Sequence, residues 1–340
     1  MRANRIEYLF SVNTHTPPTM AVDSGEEFTV EVRGAFDDVD DIRAVPTPFT
    51  PACDGHPLAP ITGPIMVRGA KPGDVVAIDL IELTPFGSGK SAILRDFGVL
   101  RREFPEPMAV SSEVREGCAW FGGRIPLPLN PNLGTISTMP PEGYKPSYAG
   151  AYGGDFDQKD AGQGSRVYLP VLVEDALVFF GDPHAAISDG IITGTGIECS
   201  MNVRARITLL KHRVLERPII AQGGAVHFVG VGPSVEEATE DAAGRAVDFA
   251  VTRTGLGREE AYMLLSIIGE LRVGTSPRPV MATRLIVPEE PLRAAGWNGE
   301  LPWRFPSLLL GNGRAHINGH GSSSASRNSW PTRRSSLNST

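Results

Sequence analysis

Apolar and polar residues alternate along several short segments in the first 230 residues of the chain. In EEFTVEVRGAFDD (26–38), the apolar residues Phe28, Val30 and Val32 alternate with polar ones. This period of two predicts a β-strand with one face in solvent. Comparable patterns occur at 73–86 and 197–210, and RVYLPVLVEDALVFFGD (166–182) predicts two further strands. The frequent turns that such strands need agree with the 38 glycines and 29 prolines.

The pattern changes to a helical period after residue 230. PSVEEATEDAAGRAVDFAVTRTG (233–255) has Ser234 followed three residues later by Glu237, which is the spacing of a capping box, and Gly255 suits the helix C-terminus. GREEAYMLLSIIGELRV (257–273) predicts a second helix that leads into a strand. Because the connection is short, we expect a helical hairpin that packs on a sheet.

These patterns predict a mostly β fold with α+β elements. We expect one unit over residues 1–310, β-rich over 1–230, with the helical hairpin and a closing strand over 231–290. Residues 311–340 are rich in Ser, Asn, Arg and Gly, and they are predicted to form a disordered tail because they can bury little apolar surface.

Composition narrows the possible partners. The net charge is −7, and no basic stripe precedes the tail, so we expect no nucleic-acid partner. No apolar run is long enough to cross a membrane and no signal peptide is evident, so we expect no membrane partner and a cytoplasmic location. The three cysteines are widely spaced, which favours neither a disulfide framework nor a thiolate zinc site.

The stretch GDPHAAISDG (181–190) appears in the sequence as a connector between two apolar segments. Asp182 and His184 are two residues apart, so in an extended chain their side chains point the same way. They can form a two-ligand clip for zinc or a carboxylate–imidazole base pair. Asp189, followed by Gly190, is a catalytic candidate, although the same pair also suits a hairpin turn.

Three other segments carry candidate groups. In GGDFDQKD (153–160), Asp155 and Asp157 have the same two-residue spacing, so they can share a divalent ion, or one can bind it while the other orients. Alternatively, they form a solvated acidic turn. Glu198 has mostly apolar neighbours, so it is either paired, protonated or metal-bound inside the protein, or it faces solvent. His56 lies in a proline-rich loop, where an active group and a surface histidine are both plausible.

In this order, the stretches resemble the acetamidase/formamidase family. The resemblance rests on HPLAPITGPIMVRGAKPGDVVAIDLIEL (56–83), on GGDFDQKD, LPVLV, GDPHAAISDGI and GIECSM, and on AVDFAVTRTGLGREEAYMLLSIIGELRV (246–273). It covers roughly residues 10–290. It implies sandwich-like β subdomains with a helical hairpin, a cytoplasmic hydrolase of C–N bonds in small amides, and a homo-oligomer. Two positions depart from the family pattern: Asp155 replaces an asparagine, and Ile191 replaces an acid.

With this resemblance, we assign a divalent metal to Asp157, Asp182 and His184, with zinc preferred and calcium possible. Glu198 is assigned as general base or proton shuttle and His56 as carbonyl polariser or acid, with Asp189 as a further catalytic candidate. The predicted function is the hydrolysis of small linear or cyclic amides by metal-activated water. The alternative, which Ile191 favours, is an altered or inactive family member that binds a small ligand.

Overall fold

The computed structural model describes residues 9, 11–53, 56, 58–144, 148–275 and 278–301, and these residues form two β-sheets and three α-helices. The strands are β1 (Met20–Val22), β2 (Glu27–Val32), β3 (Ile61–Val67), β4 (Val75–Pro85), β5 (Ser88–Ile93), β6 (Met108–Arg115), β7 (Cys118–Phe121), β8 (Ile125–Pro128), β9 (Asn132–Ser137), β10 (Ala149–Gly150), β11 (Gly153–Asp155), β12 (Arg166–Pro170), β13 (Val178–Ala186), β14 (Ile197–Glu198), β15 (Met201–Leu210), β16 (Ile219–Gln222), β17 (Ala225–Gly232), β18 (Glu270–Thr275) and β19 (Met281–Pro288). The helices are α1 (Val235–Thr254), α2 (Arg258–Ile268) and α3 (Glu289–Ala294). The predicted fold class, mostly β with a few helices, is confirmed.

The two sheets differ in their strand order. The second sheet has the strand order β18-β19-β17-β16-β12-β4-β15-β2. The first sheet has the order β10-β11-β9-β13-β14-β5-β6-β7-β8, and β3 joins it by pairing with both β13 and β1. Strand β13 therefore lies at the centre of the first sheet, next to β9, β3 and β14. This strand holds two of the residues that the sequence singles out.

The main core lies between the two sheets. Phe28 of β2 stacks on Phe180 of β13, with ring centroids 6.4 Å apart. Phe28, Val30 and Val32 are all buried, so the alternation in β2 does mark its inward face. Burial of such side chains contributes about 1.5–3 kcal/mol each. The same core packs against one face of the first sheet, including Phe180 of β13.

The predicted helical hairpin is present and packs on the second sheet. The Ser234 side chain accepts a hydrogen bond from the Glu237 backbone N–H at 3.1 Å and caps α1. Gly255 ends α1 with a left-handed φ of 78°, and α2 begins three residues later. Phe249 of α1 packs on Phe228 of β17, with ring centroids 5.1 Å apart.

One expectation about local structure is wrong. The stretch 181–190 is not a connector along its whole length, because β13 continues through Ala186 and its residues 178–185 are buried. The run VFFGDPHA has no polar alternation because both faces of this strand are covered. Asp182 and His184 therefore sit inside a sheet, where few backbone movements can displace them.

The predicted tail (311–340) lies outside the described residues, and the predicted unit boundary at 310 stays a prediction. Among the helices in the described ranges, none combines the length and the apolar character that a membrane crossing requires.

A fully buried arginine ties the second sheet to the segment after β11. Arg284 of β19 donates to Gln158 Oε1 at 3.0 Å and to Asp160 Oδ2 at 2.8 Å, and it also pairs with Asp189 Oδ1 at 2.6 Å. Its guanidinium therefore fixes residues that directly follow Asp157 in the chain. His227 of β17 lies beside the same group, with Nδ1 3.5 Å from Asp160 Oδ2.

We expect His227 to make the protein less stable in mild acid. Burial lowers the pKa of His227 to about 4, so the folded protein keeps this ring neutral while the unfolded chain protonates near pH 6.5. The unfolded state then binds more protons between these two values, and stability falls as the pH drops from about 6.5 to about 4. The loss is about 2–3 kcal/mol between pH 7.5 and 4.5.

Urea unfolding of wild type and His227→Gln at both pH values measures this contribution. The glutamine variant should lose less stability on acidification, because it has no ring to protonate. Equal losses in the two proteins would contradict the assignment.

Candidate functional site

The centre of the first sheet carries a buried pair on β13. Asp182 and His184 are 6% and 1% exposed, and they are separated by Pro183. Asp182 has a φ of +51°, a left-handed conformation that is unusual for a residue other than glycine. Such a backbone persists only where the surroundings enforce it, and the residues on either side of Asp182, Gly181 and Pro183, are both paired with β9. The distortion belongs to the part of β13 that holds both candidate ligands.

A second segment brings Asp157 to the same place. Asp157 is fully buried and also has a positive φ, of 44°. The backbone N–H groups of Phe156 and Asp157 both donate to the Gly134 carbonyl of β9, at 3.1 and 3.2 Å. This turn directs the Asp157 side chain toward β13.

Asp157, Asp182 and His184 converge around one small space. Each offers one ligand atom, and these atoms all lie within 4.8 Å of one another. A Cβ on Gly134 would lie 2.4 Å from Asp157 Oδ1, 2.6 Å from Asp182 Oδ2 and 2.9 Å from His184 Cε1. The absence of a side chain at residue 134 therefore leaves this space open.

Hydrogen bonding orients the ring of His184. Its Nδ1 lies 3.1 Å from Asn132 Oδ1, and Asn132 Nδ2 donates to the Gln158 carbonyl. Because the Asn132 oxygen is the acceptor, His184 Nδ1 carries a proton, and Nε2 is the ring nitrogen that faces the site. A histidine that binds a metal is commonly oriented in this way by a second hydrogen bond.

Glu198 joins Asp157, Asp182 and His184, and we call these four residues the polar floor. Strand β14 pairs Glu198 directly opposite His184, and its Oε2 lies 3.1 Å from His184 Nε2. The Gly196 backbone N–H donates to Oε1 at 2.7 Å and leaves Oε2 toward the site. Of the possibilities that the sequence left open, the structure therefore has Glu198 buried and paired.

Burial perturbs the titration of the cluster. Burial, together with the nearby Glu198 carboxylate, raises the pKa of Asp182 well above its usual range. Burial raises the pKa of Asp155 to about 7, although Arg278 opposes the shift. Burial alone would lower the pKa of His184, but Glu198 and other carboxylates outweigh it and the pKa is raised. The raised pKa of His184 indicates that carboxylates dominate the surroundings of its ring, and such a buried negative environment favours the binding of a cation.

Sequence reasoning missed Arg278. Its buried guanidinium pairs with Asp155 and, at 2.6 Å, with Asp157 Oδ2. Arg278 belongs to a short segment between β18 and β19 in which no hydrophobic pattern is present. The available signal was indirect, since buried carboxylates in GGDFDQKD require a positive partner from elsewhere in the chain.

The two remaining candidates have different surroundings. His56 lines a cavity that Asp182 and Glu198 also line, and its buried Nδ1 has no hydrogen-bond partner among the described residues. Asp189 instead pairs with Arg284 and, at 3.3 Å, with Lys159. The structure brings His56 to the site and does not bring Asp189 into the cluster, so the catalytic role of Asp189 stays a prediction without geometric support.

The thiol of Cys199 is a poor nucleophile here. Cys199 is fully buried, and its Sγ donates to the Phe86 carbonyl at 3.2 Å. Burial raises the pKa of this thiol to about 11, so the reactive thiolate is scarce at neutral pH.

We expect Arg278→Met to destabilise the metal-free protein by about 3–5 kcal/mol, because it leaves two buried carboxylates without a partner. Adding Asp155→Asn should restore part of this loss, since it removes one of the two charges. Urea unfolding in the presence of a chelator measures both effects, because the chelator removes any cation that would take the place of the arginine.

The matched control is Arg204→Met. Arg204 is partly exposed and pairs with Glu27 and Glu82, so its loss should cost at most about 1 kcal/mol. A double variant no more stable than Arg278→Met alone would contradict the proposed charge balance.

Comparison with known proteins identifies relatives over much of the chain. The model of the acetamidase/formamidase family matches residues 135–290, which include Asp157, Asp182, His184 and Glu198. The acetamidase of Mycolicibacterium smegmatis is 24% identical, over 77% of this chain and 83% of that protein. The formamidase of Methylophilus methylotrophus is 27% identical, over 58% of this chain and 63% of that protein.

Solved structures of acetamidases have folds similar to that of this chain. The crystal structure of an acetamidase from Bacillus halodurans superposes with a TM-score of 0.79 at 27% identity and covers 87% of this chain and all of that chain. An acetamidase from Yersinia enterocolitica gives a TM-score of 0.77 at 28% identity, over 84% of this chain and 90% of that chain. The chain is thus similar to the acetamidase/formamidase family, and it is an amidase of the class that acts on carbon–nitrogen bonds other than peptide bonds.

Proposed function

We propose that this protein hydrolyses small linear or cyclic amides, of the formamide and acetamide kind, and releases ammonia or an amine with the help of a divalent metal ion. The observation that carries the proposal is the convergence of Asp157, Asp182 and His184 around the space that Gly134 leaves open. The names of the relatives support an amide as the substrate.

The side chains present fit a divalent cation. Asp157 Oδ1 is buried without a hydrogen-bond partner in the described part of the chain, and His184 presents Nε2 to the same space. One imidazole with two carboxylates suits zinc, whereas calcium prefers oxygen donors alone, so we propose zinc and keep calcium as the alternative. When bound, such an ion lowers the pKa of water to about 7 and polarises a carbonyl oxygen.

Glu198 is proposed as the general base. Its Oε2 is buried, lies next to His184, and borders the cavity into which substrate must enter. From this position the carboxylate can take a proton from the attacking water and deliver it to the leaving nitrogen.

Arg278 and His56 have supporting roles in this proposal. Arg278 contacts both Asp155 and Asp157, so it holds the Asp157 carboxylate toward the space that Gly134 leaves open. His56 lines the cavity, its Nδ1 has no hydrogen-bond partner among the described residues, and as an N–H group this nitrogen can donate a hydrogen bond to the substrate carbonyl. Asp155, in place of the asparagine of the family pattern, is balanced by Arg278 and need not carry an uncompensated charge.

The alternative, a family member without activity, was suggested by Ile191. Ile191 is buried and lines a second cavity of about 470 Å³ with Ile187 and Ile197, and neither Asp182 nor Glu198 lines that cavity. An apolar residue at 191 therefore leaves the proposed metal ligands and base intact.

Substitution of the proposed ligands tests the function. Asp182→Asn and His184→Ala should each abolish most of the bound metal and lower ammonia release from formamide, acetamide, propionamide and a γ-lactam by about 10³-fold or more, because the activated water is lost. Elemental analysis of the purified protein measures the metal, and a chelator should reproduce the loss in wild type.

Asp40→Asn is the matched control, since Asp40 is exposed and lies outside the cavity. Full metal content and wild-type turnover in both ligand variants would remove the site assignment. Absence of turnover for every amide, in metal-loaded wild type, would instead favour the inactive alternative.

The remaining expectations concern partners and location. We expect a homo-oligomer, no nucleic-acid or membrane partner, and a cytoplasmic location. The apolar side chains Tyr262, Met263 and Ile267 of α2 are 64%, 59% and 81% exposed, and α2 adjoins the edge strand β18, so a second copy of the chain would be expected to cover them.

Light scattering of purified protein tests the oligomer. Ile267→Lys should lower the molar mass, because it places a charge in the interface, whereas Arg258→Lys on the same helix should not. A monomeric wild type would contradict the expectation.

A further inference from the structure

The cavity that Asp155, Asp182 and Glu198 line is much larger than formamide or acetamide. Its volume is about 490 Å³, within the range of about 300–1,000 Å³ typical of pockets for drug-sized ligands. Apolar side chains form much of its lining: Phe36, Phe49, Leu58, Leu94, Phe97 and Tyr148. We call these six residues the aromatic wall. An acyl group of one or two carbons would fill only a small part of this cavity and would leave most of the apolar lining without contact.

The rings of the aromatic wall are ordered by one another. Phe49 lies 5.7 Å from Phe97 and 5.7 Å from Tyr148 between ring centroids, with interplanar angles of 41° and 85°. These distances and angles are those of attractive aromatic pairs. The edge of the Phe97 ring lies where a Cβ on Gly194 would be, only 2.0 Å from that position, so Gly194 is required for this packing.

The aromatic wall and the polar floor are parts of one cavity. The Arg278 guanidinium, which pairs with Asp155 and Asp157, also lies over the Phe49 ring, 5.8 Å from its centroid. Asp182 and Glu198 line the same cavity as Phe97. An amide group at the polar floor therefore has its acyl substituent directed along the aromatic wall.

Charge further limits the acyl substituent. The cavity is lined by Asp155, Asp182 and Glu198, and the cationic Arg278 is already engaged by two carboxylates. An acyl group with its own carboxylate would meet like charges, and among the described lining residues the only arginine or lysine is Arg278, which is already paired. The cavity thus favours an uncharged acyl group.

We propose that the preferred substrate is a neutral primary amide whose acyl group carries an aromatic ring, such as an arylacetamide. Its amide group would lie at the polar floor, and its ring would pack against Phe49, Phe97 and Tyr148. This inference rests on the proposed amide hydrolysis and adds the substrate class to it. The ring fills space that acetamide leaves to water, so the binding of the acyl group contributes to selectivity.

The first experiment compares substrates on the metal-loaded protein. The kcat/KM for phenylacetamide should exceed that for acetamide by about 100-fold or more, since a hydrophobic pocket discriminates by about 10- to 200-fold for each methylene group. The anionic 4-carboxyphenylacetamide should be a poorer substrate than phenylacetamide. Acetamide turnover as efficient as that of phenylacetamide would overturn the proposal and leave amide hydrolysis itself intact.

The second experiment changes the aromatic wall. Phe49→Leu should lower the ratio of kcat/KM for phenylacetamide over acetamide by about 3- to 10-fold, because a ring–ring contact is lost. Ala35→Leu, which adds bulk to the cavity lining, should lower the same ratio by about tenfold or more. Phe104→Leu is the matched control, because Phe104 is 51% exposed and does not line the cavity. An equal effect of Phe104→Leu and Phe49→Leu would contradict the proposal.

A binding measurement separates this inference from the proposed function. Calorimetric titration of chelator-treated protein should show at least about tenfold tighter binding of phenylacetamide than of acetamide, with a loss in Phe49→Leu. Such binding without turnover of any amide by the metal-loaded protein would refute hydrolysis and support the aromatic pocket. Equal affinity for both amides would refute the aromatic pocket, and thermal unfolding of each variant verifies that it is folded.

Discussion

The structure depends on the balance of charge around four buried carboxylates. Asp155, Asp157, Asp182 and Glu198 all lie within the first sheet or directly beside it, where an uncompensated charge is costly. Arg278 compensates part of this charge through Asp155 and Asp157. The remaining negative charge is what a divalent cation would neutralise, so the same imbalance that burdens the fold creates the candidate metal centre.

The chain keeps these carboxylates in place from the side of the second sheet. Arg284, fully buried on β19, binds Gln158 and Asp160, directly after Asp157. Arg278 approaches Asp157 from the segment before β19. The helical hairpin packs on β17 and β19, and it therefore supports the strand that carries Arg284. The segment that contains Arg278 and β19 thus holds in place the acidic side chains in and beside the first sheet.

Much of the fold followed from local pattern, because alternation in β2 and the capping box of α1 depend on neighbouring residues alone. Two-residue spacing also indicated Asp182 and His184, and the family resemblance brought Asp157 and Glu198 to them. Other features depend on contacts between distant segments. The pairing of Arg278 with Asp155, the aromatic wall and the separate position of Asp189 all arise from loop packing that no local period encodes. The buried strand β13 was mistaken in part for a connector because its fully covered residues do not alternate.

The two departures from the family pattern have different physical weight. Asp155 adds a negative charge beside Asp157, and such a change is tolerable only if a cation accompanies it; Arg278 meets that condition through a direct ion pair. That guanidinium also covers one face of Phe49, so the residue that stabilises the extra acid is part of the boundary between the polar floor and the aromatic wall. Ile191 changes a different cavity and leaves the acids untouched. The acid at residue 155 therefore contacts the aromatic wall through Arg278, whereas Ile191 lines another cavity. We expect differences in substrate choice from its relatives to follow from the change at residue 155.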